Sequence, residues 1–327
     1  MNAPIDHQRK YDALIYACHA LAPVRTAVAH PCDETSLRGA VEAAEAKIIK
    51  PILVGPETRI RAVAASLGLD ISHFQLIDTP YSHASAAKAV ELVRKGEADA
   101  LMKGSLHTDE LMAEVVNKET GIRTARRISH VFIMDVPTYP KPLFITDAAV
   151  NIAPTLEEKV DIVQNAIELA HALRIEKPKV AILSAVETIT SKIPSTIDAA
   201  ALCKMAERGQ ITGGLLEGPL ALDNAISPAA AAIKQISSPV AGDADILLVP
   251  DLEAGNMLAK ELSFLANADA AGIVLGARVP IILTSRADNV RTRMASCAVA
   301  ALYAQALRLA AAAVGKLPEE QAAAERR

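Results

Sequence analysis

Two neighbouring residues near the carboxyl end of the chain, Ser285 and Arg286, have side chains suited to holding an anion. They follow directly on the apolar run PIILT, and Asp288 and Asn289 can cap the helical pattern that comes next. Backbone N–H groups at a helix start, the helix dipole and the planar guanidinium can all face one phosphate. The spacing predicts an anion site, and the alternative is a capped turn with a solvated arginine.

A second polar cluster follows the apolar run DILLV. Asp251 and Glu253 could serve as paired carboxylates for acid/base or metal chemistry. Gly255 and Asn256 permit a close approach of the backbone to a ligand. As a bare pattern this cluster is not specific for one chemistry.

A loop with a lysine, two hydroxyl groups and a histidine follows the fourth predicted strand. Lys103 could meet a phosphate as a point charge, and the alternative is an exposed loop lysine. His107 could act as a general base, although a lone loop histidine is more often a surface hydrogen-bonding group. Ser105 and Thr108 complete this candidate binding loop.

Three more candidate binding residues stand in predicted loops. Arg123 begins the densest basic stretch in the first half of the chain, which continues with Arg126 and Arg127. Asp147 and Asn151 follow an apolar run. Arg123 could equally belong to a solvated charge run, and Asp147 and Asn151 could equally be capping residues.

Composition excludes several classes of function. The net charge of -4, with 22% charged residues of mixed sign, gives no footprint for nucleic acid or an anionic membrane. The four cysteines are widely spaced without a CxxC pair, which argues against a zinc site and a disulfide framework. The N-terminus lacks a signal-peptide pattern and the aliphatic runs look too short or interrupted to span a bilayer. We therefore expect a cytoplasmic protein.

The elements that must position these residues follow a βαβ pattern. Short aliphatic runs alternate with helical patterns from residue 24 onward, and aromatic residues make up only 3% of the chain. The prediction is an α/β fold with mainly parallel sheets, whose ligands lie at the carboxyl ends of strands. Prolines between two apolar runs near residue 140 favour a hairpin there. At 327 residues the chain is long enough for two domains.

The predicted elements can be given by number. Strands are predicted at 24–30, 51–55, 74–78, 98–102, 128–136, 141–146, 179–184, 213–217, 245–249, 271–276 and 280–284. Helices are predicted at 33–49, 58–67, 82–94, 155–173, 196–208, 228–236, 251–267 and 290–315, with a polar, frayed tail at 318–327. Four motifs are absent from the sequence: the nucleotide motifs GxGxxG (after the first strand) and GxxxxGK[ST], the nucleophile elbow GxSxG and the zinc motif HExxH.

Residues 237–263, SSPVAGDADILLVPDLEAGNMLAKELS, together with 284–290, TSRADNV, resemble the phosphate acetyl/butyryltransferase (phosphotransacetylase) family. The resemblance extends from about residue 20 to residue 310, and the Ser-Arg-x-Asp and GIRT sequences look closer to the phosphate butyryltransferase branch. It implies a two-lobed α/β/α fold of the isocitrate/isopropylmalate dehydrogenase type with an interlobe cleft. The first domain would be 1–145 plus 285–327, and the second 146–284.

The resemblance also implies a reaction and roles for individual residues. The reaction is reversible transfer of an acetyl, propionyl or butyryl group between coenzyme A and phosphate, with no metal or redox cofactor, in a homodimer. Arg286 would hold the phosphate, Ser285 would hydrogen-bond the coenzyme A sulfur, and Asp288 is the candidate base, because Thr292 stands where the acetyl branch has an aspartate. The substrate-binding set is Lys103, Ser105, His107, Thr108, Arg123, Asp147, Asn151, Asp251 and Asn256.

Two other functions remain open from the sequence. The fold is shared with metal- and NAD(P)-dependent decarboxylating dehydrogenases, and Asp251 with Glu253 could hold a divalent metal. Domains of this type also occur as acyl-CoA sensors with weak or absent catalysis. The presence of both Ser285 and Arg286 argues against an inactive site.

Overall fold

The computed structural model describes residues 7–283 and 289–324. The chain forms two compact units, which we describe separately. The N-terminal unit comprises Ile15–Ile122, Val279–Ile281 and Cys297–Arg327, and the central unit comprises Met1–Leu14, Arg123–Arg278 and Ile282–Ser296. These units are groups of residues in mutual contact. The domain boundaries predicted from the sequence, 1–145 plus 285–327 and 146–284, stay a prediction.

The N-terminal unit contains four parallel strands in the spatial order β3-β2-β1-β4. Ala27 of β1 lies opposite Ile52 of β2 on one side and Leu101 of β4 on the other. The elements from the start of the chain are α1 (His7–His19), β1 (Val24–Ala29), α2 (Glu34–Glu45), β2 (Ile49–Gly55), α3 (Glu57–Leu67), β3 (Gln75–Asp78), α4 (Ser82–Arg94), β4 (Ala100–Lys103) and α5 (Thr108–Val116).

Local sequence explains where these helices begin and end. The carboxylate of Asp33 accepts a hydrogen bond from the Ser36 N–H at 2.9 Å and caps α2, as its sequence predicts. Gly68 ends α3 in the left-handed conformation, with φ of +66°, where glycine carries no steric penalty. Most residues of β1, β2 and β4 are buried, and aliphatic side chains predominate among them.

The central unit has strands in the order β10-β5-β6-β9-β7-β8. β5 is antiparallel to both β10 and β6, whereas the pairs β6–β9, β9–β7 and β7–β8 are parallel. The predicted hairpin is therefore confirmed as β5 and β6. The elements are β5 (Ser129–Asp135), β6 (Leu143–Thr146), α6 (Leu156–Ala172), β7 (Lys179–Leu183), α7 (Pro194–Glu207), β8 (Leu215–Leu220), α8 (Leu222–Ile226), α9 (Pro228–Ile233), β9 (Ile246–Leu248), α10 (Leu252–Leu265) and β10 (Asp269–Leu275).

The core of the central unit is mainly aliphatic, as the scarcity of aromatic residues predicts. Leu143 and Ile145 of β6, Ala181 of β7 and Leu247 of β9 belong to one buried cluster, and their burial supplies the main favourable contribution to folding. α6 covers this sheet and begins with a capping box between Thr155 and Glu158. The predicted fold class, α/β with mainly parallel strands, is confirmed in both units.

The last elements are β11 (Ile281–Ile282) and α11 (Val290–Ala324). The prediction that the helix ends at residue 315 is wrong, since α11 continues to Ala324. The fraying of the tail at 318–327 stays a prediction. The structure also adds three helices that the sequence patterns did not reveal, α1, α5 and α8.

Every aliphatic run is expected from the sequence to be too short or too interrupted to span a bilayer, and one helix departs from that expectation. In the described part of the chain, Val290–Ala313 of α11 is long and apolar enough to cross a membrane, with a mean hydropathy of 1.4. Half of it is buried within the protein, and a buried core helix passes the same test of length and composition. It is weak evidence for a membrane span.

Candidate functional site

The three residues predicted to be catalytic, Ser285, Arg286 and Asp288, lie outside the described residues. Their roles therefore stay predictions. The predicted binding residues are all described, and they fall at one edge of the sheet in each unit.

In the N-terminal unit, Lys103, Gly104 and Ser105 follow β4 and lie beside the end of β1. Gly104 donates its N–H to the Ala29 carbonyl at 2.8 Å, and a Cβ on Gly104 would lie 2.3 Å from that oxygen. A glycine is therefore required for this close approach of two backbones. The hydroxyl of Ser105 donates to the His30 carbonyl at 2.8 Å, which fixes the loop to the end of β1.

The remaining side chains of this loop are more accessible. Lys103 is half-buried, and its ammonium group lies 3.4 Å from the Gly104 carbonyl and 3.3 Å from the Leu106 carbonyl. His107 and Thr108 are exposed at the start of α5, and the His107 side chain makes no capping hydrogen bond. The four predicted binding residues of this loop thus lie at the carboxyl edge of the sheet, where α/β proteins bind ligands.

Sequence reasoning missed a buried polar group beside this loop, centred on His30. The imidazole Nδ1 of His30 lies 3.0 Å from the hydroxyl of Ser85, which in turn lies 2.8 Å from the hydroxyl of Thr79. Burial lowers the pKa of His30, and the Arg59 guanidinium acts in the same direction. A single histidine after a strand carries no motif, and its partners come from elements about fifty residues away, so no sequence signal marked this group.

Cys32, close to His30, is not an activated nucleophile. Burial raises the pKa of its thiol to about 11, so the thiol stays protonated near neutral pH. Its backbone N–H donates to the Ser105 hydroxyl at 3.3 Å and to the His30 carbonyl at 2.8 Å. This cysteine contributes to the backbone geometry of the edge.

In the central unit, Asp147 follows β6 and is 3% exposed. One carboxylate oxygen accepts the N–H groups of Ala149 and Val150 at 2.9 and 3.0 Å. The other accepts the N–H groups of His130 and Asn151 at 3.1 and 3.3 Å. The carboxylate therefore holds the turn after β6 and joins it to β5.

Asn151 extends this network and is 2% exposed. Its amide group donates to the Ile128 carbonyl at 2.9 Å and to the Asp147 carboxylate at 2.5 Å, and its oxygen accepts from Arg127 Nε at 2.7 Å. The polar atoms of Asp147 and Asn151 are thus engaged within the protein. A role in binding stays a prediction for both.

His130 is a second histidine that sequence reasoning did not single out. It is 3% exposed, and its backbone N–H donates to Asp147. Burial lowers the pKa of its imidazole, while the Asp147 charge acts in the opposite direction. Its ring packs edge-on against Phe132 with 4.3 Å between the ring centres, so it belongs to the packed interior of the unit.

Asp251 and Asn256 lie close to this turn, because β9 is the parallel neighbour of β6. Asp251 caps α10 by accepting the Ala254 N–H at 2.9 Å, and Asn256 donates to the Ala148 carbonyl at 3.2 Å. Gly255 lets α10 approach, since a Cβ there would lie 2.9 Å from the Ala148 Cβ. Asp251 and Asn256 are half-buried, and Glu253 is exposed.

Arg123 is exposed and pairs through its backbone with Ala277, just beyond the end of β10. β10 ends opposite the start of β5, so Arg123 lies at the same edge as Asp147. Within residues 7–283 and 289–324, no group of three or more His, Cys, Asp or Glu side chains is arranged to hold a metal ion.

A family profile described as Phosphate acetyl/butaryl transferase matches residues 81–301, which is more than half of the chain. This chain belongs to that family. The matched span contains the loop after β4, the Asp147 turn and the start of α10. The resemblance on which the sequence prediction rested is therefore confirmed.

Relatives in the phosphate acetyl/butyryl transferase family match this chain over nearly its full length. A phosphate acetyltransferase of Rhizobium meliloti is 70% identical, with 92% of this chain and 95% of the relative covered. A phosphate butyryltransferase of Clostridium acetobutylicum is 43% identical, with 90% of this chain and 98% of the relative covered. The higher of these two identities belongs to a relative from the acetyl branch.

Solved structures agree with this assignment. A branched-chain phosphotransacylase from Enterococcus faecalis V583 is 32% identical with a TM-score of 0.75, covering 86% of this chain and 99% of that one. A 4-hydroxythreonine-4-phosphate dehydrogenase from Klebsiella pneumoniae, 11% identical with a TM-score of 0.53, also covers 86% of this chain and 99% of that one. The latter likeness concerns the fold alone and agrees with the predicted dehydrogenase-like class.

Proposed function

We propose that this chain is a phosphate acyltransferase that reversibly transfers a short acyl group between coenzyme A and inorganic phosphate. The observation that carries the proposal is the 70% identity to a phosphate acetyltransferase over 92% of the chain. Because this relative is matched along almost its whole length, the activity of a complete enzyme is the appropriate comparison. The similarity does not favour an acyl-CoA sensor or a metal- and NAD(P)-dependent dehydrogenase.

We propose acetyl as the preferred acyl group, with propionyl and butyryl as slower substrates. The support is the name of the relative at 70% identity, compared with the butyryltransferase at 43%. Discrimination by one or two methylene groups is worth about 1 to 3 kcal/mol, so all three substrates should react. Comparing kcat/KM for acetyl-, propionyl- and butyryl-CoA tests this order, and a higher value for butyryl-CoA would reverse it.

The proposed mechanism is direct transfer in a complex that holds both substrates. Binding both in one site converts a bimolecular step into a positioned one. Arg286 holds the phosphate and stabilises the negative charge that develops on the acyl carbonyl, and Ser285 hydrogen-bonds the coenzyme A sulfur. We propose that the reaction needs no metal or redox cofactor, and that treating the enzyme with a chelator leaves its rate unchanged.

The test of the function is phosphate-dependent release of free thiol from acetyl-CoA, repeated with Arg286→Ala. The variant should lose more than about a hundredfold in turnover, as expected when one charge-stabilising group leaves a preorganised site. Arg308→Ala, on the far part of α11, is the matched control and should keep the normal rate. Turnover of Arg286→Ala at the normal rate would remove this arginine from the mechanism.

Two further properties are proposals from family resemblance and composition. We propose a homodimer, which sedimentation at several concentrations would test, with a monomer at all concentrations as the contrary result. We also propose a cytoplasmic location, supported by the four cysteines, which form no disulfide bond within the described residues. Cell fractionation with recovery in the membrane pellet would contradict it.

A further inference from the structure

His130 lies near the start of β5 in the central unit and is 3% exposed. Because side chains alternate along a strand, its ring is on the same face of the sheet as Phe132, and the two ring centres are 4.3 Å apart. The imidazole also lies over Gly272 of the neighbouring strand β10, where a Cβ would come within 3.1 Å of Nε2. The ring therefore occupies a packed position from which solvent is largely excluded.

The Nδ1 atom of His130 is buried without a hydrogen-bond partner among the described residues. Neither a donor nor an acceptor faces this nitrogen, so the statement holds for both tautomers of the neutral ring. A second proton would make both ring nitrogens donors and would place a positive charge in the packed interior. The position accepts the neutral imidazole and disfavours the charged one.

The carboxylate of Asp147, which follows the neighbouring strand β6, is already engaged in the turn. It accepts the backbone N–H groups of His130, Ala149, Val150 and Asn151 and the side-chain amide of Asn151. A carboxylate has about four lone-pair sites, so these donors occupy its capacity. Turning the carboxylate toward a charged imidazole would leave buried N–H groups unpaired, which is costly.

Other charged groups on the elements around β5 do not supply a partner for the ring. Glu253, Lys260 and Glu261 of α10 are exposed, and the buried Arg293 of α11 does not shift the pKa of His130. The remaining groups pair with one another, as Lys10–Asp135, Lys159–Asp198, Glu158–Arg127, Glu168–Arg126 and Arg291–Asp269, and Asp161 accepts the Arg127 N–H. Among the described residues, Asp147 is the charged group that acts on the imidazole.

We propose that His130 makes the turn after β6 acid-sensitive: when the imidazole takes up a proton, the ring leaves its packed position and the turn opens. His130 donates its own backbone N–H to Asp147, so displacement of β5 at this residue removes one of the bonds that hold the turn. The turn carries Asp147 and Asn151, two of the predicted binding residues, and opening withdraws both from their positions. The inference concerns the folding of the central unit and stands apart from the proposed acyltransferase function.

The direction of the effect with pH follows from the burial of His130. Burial lowers the pKa of the imidazole in the folded protein, and the Asp147 charge opposes this shift more weakly. In the unfolded chain a histidine takes its proton at about pH 6.5. Stability from the neutral ring is therefore present above about pH 6.5 and is lost as the pH falls toward the lower pKa of the folded state. Through this residue alone, the equilibrium constant for unfolding should rise about tenfold between pH 7.5 and about 5.5.

The test compares the wild-type protein with His130→Leu by urea denaturation at pH 7.5 and about 5.5. Leucine fills a similar volume and cannot be protonated. Groups other than His130 titrate in both proteins, so the acid-induced rise of the unfolding constant should be about tenfold larger in the wild type. His73→Asn, at an exposed position, is the matched control and should keep the wild-type pH dependence. Equal rises in the wild type and in His130→Leu would overturn the proposal.

Two measurements on the wild-type protein keep the proposal testable if His130→Leu does not fold. The ring signal of His130, assigned by NMR through its backbone, should remain that of the neutral imidazole at pH values where free histidine is protonated. The amide protons of Ala149 and Val150 should lose about tenfold of their protection against hydrogen exchange between pH 7.5 and about 5.5, after correction for the intrinsic rate. A ring that takes its proton at about pH 6.5 or above in the folded protein would contradict the proposal. Constant protection of these two amides would show that the turn does not open, and would contradict it as well.

Discussion

The two sheet edges of this protein use polar residues in different ways. At the edge of the central unit, the polar atoms of Asp147 and Asn151 are engaged in holding the turn after β6. At the edge of the N-terminal unit, His107 and Thr108 are exposed and His30 Nε2 has no partner among the described residues. A polar residue that follows a strand can thus support the backbone or face a ligand. The number of hydrogen bonds that its side chain makes within the protein distinguishes the two roles.

Asp147→Ala should show the largest effect on stability. Removing the carboxylate leaves the N–H groups of His130, Ala149, Val150 and Asn151 without their acceptor in a buried turn. We expect the free energy of unfolding to fall by about 3 kcal/mol or more, measured by urea denaturation. Asp251→Ala is the comparison at the same edge, since it removes one helix cap and should cost about 1 kcal/mol. An equal loss in the free energy of unfolding for the two variants would mean that the Asp147 carboxylate does not hold the turn together.

Asn151→Ala should have the next largest effect. The change removes the bonds to the Ile128 carbonyl and to Arg127, at a cost of about 2 kcal/mol in the free energy of unfolding. Asn256→Ala, which removes one longer bond to the Ala148 carbonyl, should cost less than about 1 kcal/mol. An Asn151→Ala protein of normal stability with a raised KM for acetyl-CoA would instead place this residue in the binding site.

Lys103→Met should leave stability nearly unchanged and affect substrate binding. Its contacts to the Gly104 and Leu106 carbonyls are long, at 3.4 and 3.3 Å, and their loss should lower the free energy of unfolding by less than about 1 kcal/mol. The KM for phosphate should rise about tenfold, which corresponds to about 1.4 kcal/mol of lost interaction with the anion. Lys50→Met, at an exposed position of β2, is the control and should leave this KM unchanged. An unaltered KM in Lys103→Met would show that the N-terminal edge does not bind phosphate through this lysine.

Much of the fold was accessible from the sequence because the local signals agree with the tertiary structure. α4 was predicted with its observed bounds, and α6 was marked by the Thr155 cap and a regular apolar face. α1 escaped prediction because polar residues interrupt its short apolar pattern. The continuation of α11 through Pro318 was missed because proline is normally read as a helix end.

The candidate site was accessible only in part. The loop at Lys103 and the turns at Asp147 and Asp251 could be found, because each directly follows an apolar strand. The role of Asp147 could not, since it accepts a hydrogen bond from His130, seventeen positions earlier in the chain. The His30 group depends on Ser85, fifty-five positions away, and such contacts exist only after folding.

The most direct test of the central claim, acyl transfer to phosphate without a covalent acyl-enzyme, is an isotope exchange. Labelled phosphate is incubated with unlabelled acetyl phosphate and the enzyme, with and without coenzyme A, and the label in acetyl phosphate is followed. Direct transfer in a ternary complex predicts incorporation that depends on coenzyme A. Rapid incorporation without coenzyme A would indicate an acyl-enzyme, and no incorporation with it would contradict the proposed function.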